Sequence, residues 1–185
     1  MPFIFLGNAL WLDFVNTQII DGALIDLIGN DGAFLQWAKT ADLQADEDDA
    51  ATFDAALTEA QAFRAHLRAA ADSLAAGTAL NPVFVADINR RMAEHPVATV
   101  LQNAGSGWAT SAKPVTSGPQ SVLAAIATDF ARFVSTEATN VRHCSNERCC
   151  IMFYDTSKNH TRRWCSMETC GNRAKAAGRR ARVVQ

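Results

Sequence analysis

Hydrophobic positions along this chain recur mainly at helical intervals. The clearest series is Phe53, Leu57, Ala60, Phe63, Leu67, Ala70 and Leu74, whose three- and four-residue steps predict one long helix ending at Gly77. The acidic run Asp46-Glu47-Asp48-Asp49 precedes it, where a helix N-terminus favours negative charge. A second series, Val122, Leu123, Ile126, Phe130, Phe133 and Val134, predicts a helix from Gln120 to about Ser135. Asn81-Pro82 opens another, with proline in the first turn and Val85, Ile88 and Met92 turned inward, stopping before Pro96. Asp31 caps a shorter helix to about Lys39 that carries Phe34, Leu35, Trp37 and Ala38. From Ala9 to Thr17 the chain is apolar on nearly every side, so period alone does not decide. Asn8, as a cap, favours a buried helix. Residues 2–6 read as a buried strand or an anchoring segment, and Asp21–Gly32 as turns. Val97–Leu101 and Trp108–Ala112 read as a small β-hairpin packed on the helices. The fold class expected is α+β, mainly helical.

Two polar residues interrupt the first apolar stretch. Asp13 and Asn16, three apart, share a helix face and either satisfy backbone groups or line a ligand cleft. His66 reads as an ordinary surface histidine.

Composition adds bounds. With 49% hydrophobic residues in 185, the chain suffices for one domain plus a small module. Its apolar runs fall far short of the roughly 20 residues needed to span a bilayer, and no charged region precedes the apolar start, so a cytoplasmic protein without a membrane partner is expected. The net charge of −2 conceals a division: residues 1–140 hold 7 Lys/Arg against 16 Asp/Glu, and residues 141–185 hold 10 against 3. The halves therefore suit different partners. A basic C-terminal module has the electrostatic footprint of nucleic-acid binding; alternatively it docks on its own acidic domain or offsets thiolate charge. Candidate contacts are Arg162, Arg163, Arg173, Lys175, Arg179, Arg180 and Arg182, the last five on a helix expected from Asn172 to Arg182.

Between Cys144 and Arg173 lie two equally spaced cysteine pairs, Cys144/Cys149 and Cys165/Cys170. The spacing is that of a metal site. Four thiolates suit one structural Zn2+ and leave no open position for substrate. Disulfides and unrelated buried cysteines are the competing readings, and His143 and His160 are alternative ligands. Cys150, the fifth cysteine, is a packed free thiol or a redox group. A hairpin pairing Ile151–Tyr154 with Arg162–Cys165 would join the two cysteine pairs, with Trp164 and Phe153 as a miniature core.

The string Arg162-Arg163-Trp164-Cys165-Ser166-Met167-Glu168-Thr169-Cys170-Gly171-Asn172-Arg173, with Asp155-Thr156-Ser157 and Asn159, resembles the signature of the CGNR zinc-finger family. Leu12-Asp13-Phe14-Val15-Asn16-Thr17 resembles the opening of the ABATE domain that precedes such fingers. The resemblance implies a treble-clef-like zinc module over 141–185 after an ABATE-like domain over 1–140. It also implies a bacterial stress-related transcription regulator. It suggests local roles for Asn172, bracing the finger, and for Arg173, pairing with an acid such as Asp155. The resulting expectation is a non-catalytic, zinc-containing regulator that binds DNA, with a first domain that senses a small-molecule effector or pairs two copies. RNA binding, a protein-interaction finger, an enzyme with a cleft in the first domain, and a thiol switch are the alternatives. Replacing Cys165 or Cys170 is expected to unfold the finger and leave the first domain cooperative.

Overall fold

The computed structural model describes residues 2–43, 45, 50–105, 107–136 and 140–176. Helices α1 (Leu10–Val15), α2 (Ala33–Thr40), α3 (Ala50–Ala55), α4 (Leu57–Ala76), α5 (Pro82–Glu94) and α6 (Pro119–Thr136) surround one aromatic-rich core. Three antiparallel hairpins lie against them: β1 (Gln18–Asp21) with β2 (Ala23–Asp26), β3 (Val97–Asn103) with β4 (Trp108–Pro114), and β5 (Val141–His143) with β6 (Met152–Tyr154). A π-helical turn over Met167–Gly171 leads into helical residues 172–176. No described helix is long and apolar enough to cross a membrane.

The core follows the stripes in the sequence. Along α6, Val122 to Ala127 are all fully buried, which makes it the central helix. Trp11 of α1 meets Phe130 and Phe133 edge-on at 5.1 and 5.3 Å, and Phe14 packs 4.9 Å from Trp37. The long helix expected through Phe53 and Leu74 is interrupted at Ala56, so α3 and α4 are separate segments. The ladder still continues there, from Ala56 N to Thr52 O at 3.1 Å and from Ala60 N to Ala56 O at 2.9 Å. This bend brings Phe53 to 5.0 Å from Phe34 of α2. The acidic run 46–49 lies outside the described residues.

Other expectations change for identifiable reasons. Asn8 does not cap α1: at φ 60° it is left-handed, and its Nδ2 donates to Tyr154 O at 2.9 Å. Asp129 takes the cap role, accepting from Trp11 N at 3.0 Å. Ahead of α2, Gly32 rather than Asp31 is the cap residue, at φ 73°, and its N–H donates to Asp54. Asn81 caps α5 as read, accepting from Val83 N at 2.9 Å. The buried face of α5, however, presents Phe84 rather than Val85, together with Ile88 and with Arg91, whose guanidinium lies 4.4 Å above the Phe63 ring. Residues 2–6 form no regular element and act as an anchor: Phe3 touches the main core, Ile4 and Leu6 the cysteine cluster. Gly7 lies so close to α1 that a Cβ there would sit 2.6 Å from that of Leu12.

The turn-rich stretch after α1 is the β1–β2 hairpin, reversing at Gly22 (φ 74°). Buried Arg64 of α4 holds it, reaching Thr17 Oγ1 at 2.8 Å and both Asp26 oxygens at 2.7 and 2.5 Å. Burial opposes ionisation of Asp26, but the Arg64 guanidinium keeps its carboxyl below the usual range. The β3–β4 hairpin runs further than expected, to Asn103 and Pro114, and its far end stands clear of the helices with Leu101 and Trp108 exposed.

The last hairpin is paired differently from the reading. Met152–Tyr154 pairs with Val141–His143, in the register Val141↔Tyr154 and His143↔Met152, and not with Arg162–Cys165. The 162–165 segment crosses the first cysteine loop instead, where Ser145 N donates to Arg163 O at 2.8 Å. Val141 and Met152 belong to the main core. Asn16, fully buried, clasps β6 by both amide ends, with Nδ2 donating to Met152 O at 2.8 Å and Oδ1 accepting from Met152 N at 3.0 Å. Arg68 of α4 ties Val15 O to Cys150 O, at 2.9 and 3.0 Å.

Candidate metal centre

Four sulfurs converge where β5, β6 and the π-helical turn meet. Cys144 follows β5 directly, and a turn closed by Cys149 N donating to Asn146 O at 2.8 Å brings Cys149 back beside it. The segment crossing that loop supplies Cys165, and the π-helical turn supplies Cys170. All four Sγ atoms lie within 4.8 Å of one another, and no disulfide joins them. Two of the separations are 3.8 Å (Cys149–Cys165) and 3.7 Å (Cys165–Cys170). A tetrahedron with Zn–S bonds of about 2.3 Å has edges of about 3.8 Å. The cluster therefore has the size zinc requires.

Its electrostatics point the same way. A hydrogen bond from Cys165 pulls the Cys149 thiol down to about 5, while that same bond and burial push Cys165 well up. Burial also raises Cys144. Four thiolates this close cannot ionise together without a cation to neutralise them. The chain supplies donors as well: Cys165 N reaches Cys144 Sγ at 3.5 Å, and Asn146 Nδ2 reaches Cys170 Sγ at 3.3 Å. The cysteines hold one structural Zn2+, which ties the first loop to the final turn and leaves no open coordination position.

The other candidate ligands are engaged elsewhere. His143 Nε2 faces Asp72 at 3.1 Å, and His160 Nδ1 faces Asp155 O at 2.9 Å. Cys150 lies outside the cluster, donating to Gln18 O at 3.3 Å, with its thiol raised by burial. His66 is exposed, its ring edge-on to Phe84.

The structure sorts the basic candidates. Arg162 is a brace for the finger and is not free for phosphate: its guanidinium lies 4.6 Å above the Phe153 ring, Nε donates to Trp164 O at 2.9 Å, and Nη2 donates to Cys165 O. Arg163 is exposed and stacks over Trp164 at 5.2 Å, while Trp164 and Phe153 pack in the apolar cluster around the cysteines. Arg173 and Lys175 are exposed. Arg179, Arg180 and Arg182 lie outside the described residues. Arg142, not Arg173, pairs with fully buried Asp155, at 3.2 Å. Asp155 also accepts from Arg162 N at 2.9 Å and Ser157 N at 3.0 Å, so it organises the loop between β6 and Cys165. Asn172 makes a local contact, donating to Glu168 O at 3.1 Å. The structural use of Arg162 was hidden because nothing in the sequence distinguishes a bracing arginine from its neighbour Arg163.

Asp13 and Asn16 do not line a common cleft. Asn16 has both amide ends occupied, as described, and Asp13 accepts from Gly7 N at 2.7 Å. Burial, only partly offset by that bond, raises the Asp13 carboxyl to about 7, with Asp129 nearby adding to the rise. Its folded value lies above the unfolded value of 3.8, so the folded state binds the extra proton and stability from this group falls as pH rises from about 4 to about 7. Asp13→Asn keeps an acceptor for Gly7 and is expected to gain about 2 kcal/mol relative to the parent between pH 5 and pH 8, at about 1.4 kcal/mol per unit. Urea unfolding at the two pH values reads this difference, and parallel curves would contradict it.

Comparison with known proteins accords with this geometry. A family model named ABATE, described as a putative stress-induced transcription regulator, matches residues 8–137. A second, described as a CGNR zinc finger, matches residues 140–183. No curated protein matches the chain. The first match spans most of the sequence and the second contains all four cysteines: this chain belongs to the ABATE family and carries a CGNR zinc finger after that domain.

Proposed function

We propose that this protein is a DNA-binding transcription regulator in which the zinc finger supplies the nucleic-acid surface and the first domain governs it. One observation carries the reading. Arg148, Arg163, Arg173 and Lys175 are all exposed on the finger, and none makes an ion pair among the described residues. The acidic excess lies wholly in residues 1–140, and residues 141–185 carry a basic excess. Cations left unpaired beside a rigid metal core are arranged for phosphate, since a contact of this kind gains by releasing counterions.

The treble-clef likeness supports the same reading, for the first cysteine loop is flanked by β5 and β6, and the last ligand, Cys170, opens into helical residues 172–176. The role is non-catalytic and belongs to the cytoplasm, where thiols stay reduced for zinc. A symmetric operator would engage two copies of the chain.

The test is binding of zinc-loaded protein to labelled duplex DNA, single-stranded DNA and RNA across a salt series. Duplex binding should be tightest. Its log affinity should fall with log salt by about 0.9 per phosphate contact, and Arg163→Ala/Arg173→Ala/Lys175→Ala should remove about 2 to 3 from that slope. Absence of binding at low salt would refute the reading, and preference for RNA would redirect it.

A further inference from the structure

Strand β3 is bare on both sides. Every residue from Ala98 to Asn103 is exposed, so neither face of the strand is covered. Leu101 is 62% exposed, and Trp108, on the same face of the hairpin, is 72% exposed. β4 is the inner strand of the pair, with Pro114 buried and Lys113 tied to Asp42. β3 is therefore the outer edge.

The ladder directs half of the β3 backbone outward. Its closing bond runs from Ala104 N to Gly107 O at 2.8 Å, and bonded and unbonded pairs alternate along an antiparallel ladder. Ala98, Val100 and Gln102 thus bond toward β4, and the N–H and C=O groups of Thr99, Leu101 and Asn103 point away from it. No other element pairs with them among the described residues. An edge of this kind is a template for a further strand, and proteins ordinarily blunt it with a charge, a proline or a bulge. β3 has none of these: its register is continuous from Val97 to Asn103, and residues 97–112 contain no Pro, Asp, Glu, Lys or Arg. Two strands alone are also marginal in water, whereas three or more sharing an apolar face are not.

We infer that β3 pairs antiparallel with β3 of a second copy of this chain, across a two-fold axis at Leu101, to give a four-stranded sheet of order β4-β3-β3-β4. The strand is complementary to itself. About that axis Leu101 meets Leu101 and Thr99 faces Asn103, with no like charges opposed, and the Leu101 and Trp108 side chains of both copies share one face of the new sheet. Charge selects the same occupant. Residues 1–140 hold 7 Lys/Arg against 16 Asp/Glu, so two copies repel unless they meet on a neutral surface, and the stretch 97–112 is one. A foreign partner drawn to the acidic domain would carry basic groups, to which β3 offers nothing. The dimer would present two fingers, as a symmetric operator requires. That consequence rests on the regulator reading, whereas association itself does not.

The test is sedimentation of the zinc-loaded full chain without DNA, from about 1 to about 200 μM, with amide hydrogen exchange on the same samples. The chain should reach twice its own mass with a Kd of about 10 μM or tighter. The amides of Thr99, Leu101 and Asn103 should exchange more slowly as the dimer forms. Leu101→Lys sets two ammonium groups against each other at the axis, and Thr99→Pro removes an outward N–H without touching the β4 ladder; each should weaken association about tenfold or more. Val83→Lys, on exposed surface of α5, should leave it unchanged. Thermal unfolding of each variant establishes that it folds. A monomer throughout the concentration range would overturn the inference and leave β3 to a strand from another protein. So would a dimer in which both β3 variants associate as tightly as the parent, or whose Leu101 amide exchanges as fast as in the monomer. DNA affinity is measured separately, so failure of the regulator reading leaves this result standing.

Discussion

Cys165→Ser should lower the unfolding temperature of the whole chain by more than about 10 °C, in one transition and with the zinc lost. A structural zinc contributes about 10 kcal/mol or more to a small module, and a few kcal/mol suffices for such a shift at this chain length. The sequence alone suggests a finger that unfolds by itself beneath an intact first domain. The structure argues against that separation. Val141 and Met152 are core residues of the larger part, and Ile19, Ile25 and Leu27 from the first domain complete the apolar cluster around the cysteines. Releasing Cys165 frees the segment that braces the first loop and strips Ile19 of its neighbours in the cysteine cluster. The cost is therefore spread over both parts. Scanning calorimetry with metal analysis of the same samples is the measurement. A metal-free variant whose main transition stays at the parent temperature would show that the two parts fold independently after all.

What could be read from the sequence was what local spacing determines. The stripes of α4 and α6 are amphipathic over several turns, so their buried faces follow from period alone. The cysteine quartet was legible for a similar reason, since each pair lies within one loop and coordination leaves little choice in how two loops meet. Pairing was not legible. Residues 162–165 and 141–143 both offer β6 a short partner, and the choice rests on Asp155 and Ser145 fixing the first of these elsewhere. Strands of four residues, as in β1 and β2, are too short for period-two alternation to stand out against Gly22 and the aspartates. On α5 Ile88 and Met92 pack inward as expected, but Phe84 takes the place expected of Val85, because both are apolar and Phe130 and Phe63, 5.3 and 6.3 Å away, select Phe84.

Asn16→Ala is expected to cost about 3 to 5 kcal/mol. Asn16 stands out in the sequence as a polar residue in an apolar stretch, but its partner lies 136 residues away. The cost follows from what is left behind. Met152 is fully buried, and truncating Asn16 leaves its N–H and C=O both unpaired, at about 1 to 3 kcal/mol each. Asn16→Asp retains an acceptor for Met152 N but presents a carboxylate to Met152 O, so it should rescue little. Asn8→Gly provides the comparison: it removes a similar bond, to Tyr154 O, at an exposed site and relieves the φ of 60°, so it should change stability by less than about 1 kcal/mol. Urea unfolding of zinc-loaded proteins separates the two. A cost below about 1 kcal/mol for Asn16→Ala would mean that the clasp is not a determinant of the fold. Linkage carries the argument to the metal. If β6 leaves Asn16 when zinc departs, the clasp contributes only to the zinc-bound state, and Asn16→Ala must weaken zinc binding by the same free energy that it removes from the fold. Competition with a chelator measures that quantity directly. A variant that is destabilised but holds zinc as tightly as the parent would show that β6 stays on the first domain whether or not the metal is bound.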